Sequence, residues 1–133
     1  MIQIKVPKNV FNIKVACEGM EDQVDTVSKE DVLKHLERGT AAIVDVLARH
    51  SYDELHIKGS ISIPFDMVED GRLDALGDQK SVITYCKNYT CLASKRAARL
   101  LKQMGFNASA YEGGIEEWEK SGLPVEGSNV GKT

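Results

Sequence analysis

The sequence predicts an α/β domain with a mostly parallel central sheet and helices on both faces. Short apolar segments typical of buried strands alternate along the chain with segments of helical period. Three of the helical segments stop at a glycine, a residue that commonly ends helices. One domain of ordinary size therefore accounts for most of the chain.

The first elements follow from capping and burial. Ser28 is followed three positions later by the carboxylate of Asp31, which predicts a helix N-terminus. An apolar stripe at helical spacing comes next, and Gly39 ends this helix. Residues 41–46 then form an apolar run, which predicts a buried strand with Asp45 near its carboxyl end.

The later elements are shorter, apart from one strong helix. Residues 66–78 are polar and punctuated by glycines, so we expect no more than one helical turn there. The apolar and basic pattern over 92–104 predicts a strong helix that Gly105 stops. The other predicted elements are a short helix over 52–57, strands over 61–63, 82–85 and 108–111, and a short helix over 115–120.

The two ends of the chain have a different character from the middle. Residues 1–25 alternate between apolar and polar positions around a proline, which predicts an N-terminal extension that forms an edge strand or a hairpin. Residues 127–133 have the composition of a flexible C-terminal tail. The predicted domain therefore covers residues 26–126.

Composition and charge narrow the classes of function. The formal net charge of −3 gives no electrostatic reason to expect binding to nucleic acid or to an anionic membrane. The apolar runs are too short to cross a bilayer, and the first residues lack the pattern of a signal peptide. Three cysteines are too few for a disulfide framework, so we expect a reducing compartment, the cytoplasm.

Cys86 is the residue that carries the strongest functional signal. It follows the apolar run 81–85 and precedes the loop 87–91, after which the strong helix starts. The N–H groups and the dipole at a helix N-terminus stabilise a thiolate, so we expect a lowered pKa at Cys86 and interpret it as a nucleophile. In parallel α/β sheets, ligands bind beyond the carboxyl ends of the strands, where both Cys86 and Asp45 fall.

Four stretches in the same order resemble the rhodanese-like sulfurtransferase family, over about residues 26–126. The first is the Asp-Val pair at 45–46, and the second is a His-Ile pair followed by Gly-Ser and Ile-Pro. The third is the Tyr-Cys pair with its loop and helix, and the fourth is a Gly-Gly pair followed by Trp118. In this sequence they occupy residues 44–46, 56–64, 85–101 and 112–118.

This resemblance implies a three-layer α/β/α fold and a mechanism. In the family, the loop cysteine attacks a sulfane-sulfur donor, holds the sulfur as a persulfide and passes it to cyanide or a thiol. Carried over, that cysteine is Cys86, and the donor is thiosulfate, a polysulfide or a persulfide. The acceptor is a thiol or a partner protein. The resemblance implies no cofactor and no metal, and it gives no expectation of nucleic-acid or membrane partners.

The loop after the cysteine supplies the predicted binding residues: Lys87, Asn88, Tyr89, Thr90 and Cys91. Its backbone N–H groups are expected to stabilise the thiolate and the bound sulfur. Lys87 could bind an anionic donor or be a solvated surface residue. Tyr89 and Thr90 could donate hydrogen bonds to substrate, or Thr90 could cap the next helix. Asp45 is a supporting residue that could accept hydrogen bonds from this loop or simply end its own strand.

Several positions depart from the pattern of the family. Leu47 stands where an arginine often follows the Asp-Val pair, and Cys91 stands where a basic residue usually lies five positions after the cysteine. Phosphatases of this superfamily need an arginine six positions after the cysteine, where this chain has Leu92. Without an arginine fork for oxyanions, the sequence disfavours a phosphatase and predicts weak use of thiosulfate.

Two alternatives remain open for the second cysteine and for the function. Cys91 is either a packing residue at the helix start or a resolving thiol that attacks an oxidised or sulfur-loaded Cys86. Accordingly, the protein could instead be a thiol reductase that cycles Cys86 and Cys91 between dithiol and disulfide. It could also be a non-catalytic interaction module. A metal site is a weak prediction because no second ligand pair follows at zinc-like spacing.

Overall fold

The central sheet of the domain is parallel and five-stranded. The computed structural model describes residues 24–130, so all but the last two residues of the predicted extension, 1–25, lie outside that range. The sheet has the order β1-β6-β5-β2-β4, and every neighbouring pair is parallel. Its strands are β1 (Thr26–Val27), β2 (Ala42–Asp45), β4 (Ile61–Ser62), β5 (Ser81–Tyr85) and β6 (Asn107–Tyr111).

Helices connect the strands and cover both faces of the sheet, which confirms the predicted fold class. They are α1 (Lys29–Arg38), α2 (Arg49–Glu54), α3 (Phe65–Glu69), α4 (Ala93–Gln103) and α5 (Gly114–Lys120), with a 3₁₀ turn at Asp74–Leu76. One buried cluster lies between the sheet and helices α3 and α4. A second cluster, around Trp118, lies between the opposite face of the sheet and helices α1 and α5. The domain therefore has three layers.

Helix α1 begins and ends as its sequence predicts. The Ser28 hydroxyl accepts a hydrogen bond from the Asp31 N–H at 3.2 Å, and the Asp31 carboxylate accepts one from the Ser28 N–H at 3.3 Å. This reciprocal pair satisfies two N–H groups that the first turn leaves without helical partners. Gly39 follows with a φ of 66°, and its N–H donates to the His35 carbonyl.

The predicted helix over 52–57 is wrong in its bounds. The helical turn α2 starts earlier, at Arg49, and ends at Glu54. Residues His56–Ile57 form a strand, β3, which pairs antiparallel with β7 (Val125–Glu126). This small sheet joins the last residues of the domain to its middle, so a long-range pairing overrides the local pattern.

The segment 66–78 holds more helix than the sequence predicts. Helix α3, five residues long, covers a little more than one turn, and the 3₁₀ turn follows after Gly71. Buried Val68 and Leu76 fix both pieces against the cluster that also contains α4, and the partly buried Met67 and Leu73 pack there as well. A few apolar side chains in a polar stretch therefore order it against the core.

The start of the predicted C-terminal tail is bound to the domain. The N–H of Ser128 donates to the Asp53 carbonyl at 3.0 Å, and the N–H of Asn129 donates to the Glu54 carbonyl at 2.9 Å. These bonds satisfy carbonyls at the end of α2. Residues 127–130 therefore differ from a flexible tail.

None of the helices within the described residues has both the length and the apolar character that a membrane span requires.

Candidate active site

Cys86 lies directly beyond β5, at the carboxyl edge of the sheet. It is 1% exposed and packs in the cluster that contains α4. The loop that follows is held from the other face of the sheet by the start of α5. The N–H of Ile115 donates to the Cys86 carbonyl at 3.0 Å, and the N–H of Glu116 donates to the Lys87 carbonyl at 3.0 Å. The first helical N–H groups of α5 thus fix the loop backbone.

Gly114 makes this attachment between loop and helix sterically feasible. Its φ of 68° is in the left-handed region, which L side chains rarely adopt. A Cβ atom at this position would lie 2.5 Å from the Cys86 and Lys87 carbonyl oxygens. The Gly-Gly pair noted in the sequence is therefore required where its second glycine meets the cysteine loop.

The loop turns back on itself and brings the two cysteines together. Asn88 Oδ1 accepts hydrogen bonds from the Thr90 N–H at 3.1 Å and from the Thr90 hydroxyl at 2.8 Å. The Cys91 N–H donates to the Asn88 carbonyl at 3.1 Å. This Asx-stabilised turn places the Cys91 carbonyl 3.5 Å from Cys86 Sγ. The loop therefore brings the backbone of Cys91 against the Cys86 thiol.

The thiol of Cys86 is less acidic than the sequence predicts. Burial, together with the neighbouring Cys91, raises its pKa to about 11. Hydrogen bonds from the hydroxyl and the N–H of Ser94, the second residue of α4, act in the opposite direction. The expected stabilisation by the helix N-terminus is thus present, but burial outweighs it. The predicted lowering of the Cys86 pKa is wrong for this conformation.

Cys91 is the more acidic of the two thiols. It is half-buried, and although burial raises its pKa, three hydrogen bonds lower the pKa overall. The donors are the Cys86 thiol and the backbone N–H groups of Ala93 and Lys87. Among the described residues these are the groups that stabilise a thiolate in this loop. The position of Cys91 two residues before α4 was the signal in the sequence for this effect.

The other loop residues face outward. Lys87 and Thr90 are exposed, and Tyr89 is 61% exposed. The Thr90 hydroxyl is used in the turn with Asn88, and α4 has no side-chain cap. The interpretation of Thr90 as a helix cap is therefore wrong.

No pattern in the sequence predicts a role for Glu117. Its carboxylate accepts hydrogen bonds from the Tyr89 hydroxyl at 3.1 Å and from the Tyr111 hydroxyl at 2.7 Å. It therefore ties the exposed loop tyrosine to the end of β6. Shallow depressions lie on either side of Tyr89, and Glu117 and Gly113 contribute to both.

Asp45 is buried beside the site but does not bond to the cysteine loop. Its Oδ1 accepts a hydrogen bond from the Leu47 N–H at 2.8 Å, and its Oδ2 has no partner among the described residues. Burial raises the pKa of Asp45 to about 6, against the opposing effects of the Leu47 N–H, Tyr85 and His56. The paired strands place Asp45 next to Tyr85, so any support of Cys86 passes through that tyrosine.

Tyr85 connects this edge of the sheet to the small sheet. Its hydroxyl accepts a hydrogen bond from the Ile57 N–H at 3.0 Å and lies 2.9 Å from the Ser60 hydroxyl. The His-Ile and Gly-Ser stretch that the sequence singled out is therefore structural. It fixes the residue that precedes Cys86.

The unsubstituted domain is expected to lose stability as pH rises through the acid range, because Asp45 must ionise while buried. Asp45→Asn is expected to remove this loss. The folded-state pKa of about 6 lies above the usual aspartate pKa of 3.8, so folding favours the protonated carboxyl. Its contribution is complete below the lower value and is lost as pH rises through the higher one, by about 3 kcal/mol in total. Urea unfolding across this range measures the effect. The exposed Asp78→Asn is the control, and equal pH slopes in both variants would contradict the assignment.

The geometry agrees with comparisons to known proteins. The family model of the rhodanese-like domain matches residues 28–121. The chain belongs to the rhodanese-like domain family. The BH2092 protein from Bacillus halodurans superposes with a TM-score of 0.74 at 30% identity, over 90% of this chain and 89% of that one. The rhodanese-like domain of the Alr3790 protein from Anabaena superposes with a TM-score of 0.66 at 27% identity, over 81% and 83% of the two chains.

Curated relatives of this rhodanese-like domain differ in length and in name. The thiosulfate sulfurtransferase GlpE from Actinobacillus pleuropneumoniae is 28% identical over 109 residues, which cover 80% of this chain and 97% of GlpE. An HTH-type transcriptional regulator from Mycobacterium tuberculosis is 28% identical over 133 residues, which cover 98% of this chain and 58% of the regulator. The chain thus spans little more than half the length of that relative.

The site is one of thiols and backbone donors. Within residues 24–130, no group of three or more His, Cys, Asp and Glu side chains is arranged to hold a metal ion. Lys95, in the first turn of α4, forms an ion pair with Glu112. Part of the positive charge near the loop is therefore already paired with a carboxylate.

Proposed function

We propose that this rhodanese-like domain is a sulfur carrier that holds sulfane sulfur as a persulfide on Cys86. The observation that carries the proposal is the position of Cys86, which directly follows β5 at the carboxyl edge of the sheet while the first N–H groups of α5 fix the backbone of its loop. Hydrogen bonds from Ser94, at the start of α4, lower the pKa of Cys86 and so favour negative charge on its sulfur. The family of the chain, which includes sulfurtransferases, supports the same chemistry.

The proposed loading step takes place at Cys86. The Cys86 thiol gives up its proton to solvent, and the resulting thiolate attacks the outer sulfur of the donor. A new S–S bond forms at Cys86 Sγ while the S–S bond of the donor breaks. The leaving group departs as sulfite from thiosulfate, or as a thiolate from an organic persulfide. A thiol acceptor then takes the outer sulfur and restores Cys86.

We further propose that the preferred donor is a polysulfide or an organic persulfide. Leu47 and Cys91 occupy positions where the family often has basic residues, and Lys95 is paired with Glu112. Less positive charge therefore faces a dianionic donor than in an ordinary member. Free thiols at both cysteines require a reducing compartment, which is in keeping with the predicted cytoplasm.

Turnover assays with two donors test this function. With cyanide as acceptor, we expect thiocyanate formation from polysulfide and at least about tenfold lower kcat/KM from thiosulfate. Cys86→Ser should abolish both reactions, whereas the exposed Lys102→Gln, on α4 away from the loop, serves as the matched control. Thiosulfate turnover equal to that from polysulfide would contradict the proposed donor class. Undiminished turnover in Cys86→Ser would contradict the function.

The return of the loop to the Cys86 thiol favours a second candidate, a redox protein that cycles between dithiol and disulfide without carrying sulfur. The Cys86 thiol lies 3.5 Å from the Cys91 carbonyl, so the loop already has the curvature that a disulfide needs. Thiol counting after mild oxidation distinguishes it. An oxidised product unaltered by Cys91→Ser would eliminate this candidate.

A further inference from the structure

We propose that Cys91 resolves the sulfur-loaded form of Cys86, releasing the bound sulfur as sulfide and leaving a disulfide between the two cysteines. This inference rests on the proposed function, because it needs sulfur on Cys86. It assigns a chemical role to a residue that replaces a basic group of the family pattern. The domain would then convert sulfane sulfur to sulfide as well as carry it.

The first support is the shape of the loop. Asn88 closes a turn through the Thr90 N–H, the Thr90 hydroxyl and the Cys91 N–H. The turn leads the chain back over the Cys86 thiol, which donates to the Cys91 carbonyl. The residue that carries the second thiol is therefore held against Cys86 by bonds that do not depend on a substrate.

The second support is the local environment of each sulfur. Cys86 is 1% exposed, so an acceptor from solution reaches its sulfur only if the loop moves. Cys91 is half-buried and lies between the loop and α4, with backbone N–H groups of Ala93 and Lys87 directed at its sulfur. These donors favour the thiolate, which is the form that attacks a persulfide. Cys91 belongs to the same loop, so it can act as the nucleophile without an opening of the site.

The proposed step balances without an added oxidant. The Cys91 thiolate attacks Cys86 Sγ, and a bond forms between the two cysteine sulfurs. The bond from Cys86 Sγ to the outer sulfur breaks, and the outer sulfur leaves with the electron pair and its proton as hydrosulfide. The two cysteines lose two electrons together, and the sulfane sulfur gains them. A dithiol reductant then returns the disulfide to two thiols.

The competing attack is on the outer sulfur. That reaction would move the persulfide to Cys91 and return Cys86 to a thiol, without releasing sulfide. The loop leads Cys91 back to the Cys86 thiol itself, 3.5 Å from the Cys91 carbonyl, which favours attack at Cys86 Sγ. The two reactions differ in their products, so product analysis separates them.

A time course in the Cys17→Ser background tests the inference, because this change removes the third cysteine. The reduced chain is loaded with polysulfide and desalted, then followed by intact-protein mass and by sulfide release. The parent should lose its added sulfur as one hydrosulfide per chain and end two hydrogens lighter than the reduced form. Cys91→Ser should keep the added sulfur at least about tenfold longer.

Three results would overturn the inference. The parent and Cys91→Ser could lose sulfur at the same rate, the parent could lose it without forming a disulfide, or the sulfur could remain on Cys91 by peptide mapping. In each of these cases sulfur is still loaded, so the proposed function stands. If neither chain takes up sulfur, the proposed function fails, and this inference fails with it.

Discussion

Gly114→Ala is expected to destabilise the domain by about 2–5 kcal/mol and to slow sulfur loading of Cys86. A side chain in the left-handed region costs about 1–2 kcal/mol. In addition, the new Cβ would lie 2.5 Å from the Cys86 and Lys87 carbonyl oxygens, and an overpacked contact costs about 1–3 kcal/mol. Both of these oxygens are backbone atoms, so no side chain can move aside and the loop itself must shift.

Gly39→Ala is the matched control for this prediction. Gly39 has nearly the same φ, 66°, but a Cβ atom added there would lie within 4 Å of no other described residue apart from its two chain neighbours. It should cost only the backbone term of about 1–2 kcal/mol and leave sulfur loading unchanged. Urea unfolding followed by the fluorescence of Trp118, the single tryptophan and fully buried, measures both variants. Equal losses in the two variants would contradict the close contact between α5 and the cysteine loop.

Alkylation at neutral pH is expected to label Cys91 first, with Cys86 slower by at least about 100-fold. Burial raises the pKa of Cys86 to about 11, so very little of it is thiolate at pH 7. Hydrogen bonds lower the pKa of Cys91 and keep more of it in the reactive form. Iodoacetamide labelling of the Cys17→Ser chain, read by peptide mapping, measures the order.

The pH dependence gives an independent check on the labelling order. The rate at Cys91 should level off below the pH of an ordinary thiol, whereas the rate at Cys86 should keep rising toward about pH 11. In urea the two sites should react alike, because the fold no longer distinguishes them. Faster labelling of Cys86 in the folded chain at pH 7 would contradict the electrostatics of the loop.

Alkylation and sulfur loading report different properties of the pair. Alkylation is irreversible, so it records which thiol ionises more readily. Sulfur loading is reversible, so it records at which thiol the added sulfur is better stabilised. In the proposed carrier, hydrogen bonds from Ser94 stabilise negative charge at Cys86, so Cys86 can hold the sulfur although Cys91 is the more acidic thiol.

Most of the fold could be predicted because local signals and burial agree. The Ser28 cap, the Gly39 stop and the apolar runs of β2 and β5 are local features, and each appears in the structure. The pairing of β3 with β7 could not be predicted in this way. It joins residues about 70 positions apart, and only the assembled domain determines it.

The candidate site could be located from the sequence, but its electrostatics could not. The strand–loop–helix pattern places Cys86 at the sheet edge, as the structure does. The sequence contains no measure of how deeply the thiol is buried, and burial decides the sign of its pKa shift. The Asn88 turn, which brings Cys91 back to Cys86, depends on side-chain hydrogen bonds that spacing alone does not specify.

The most direct test of the central claim is intact-protein mass spectrometry of the reduced chain after exposure to polysulfide and desalting. Cys86→Ser and Cys91→Ser, both in the Cys17→Ser background, are measured alongside it. A sulfur carrier at Cys86 predicts the gain of one sulfur atom in the parent at early times and in Cys91→Ser, and none in Cys86→Ser. An equal gain of sulfur in Cys86→Ser, or no gain in any chain, would contradict the claim.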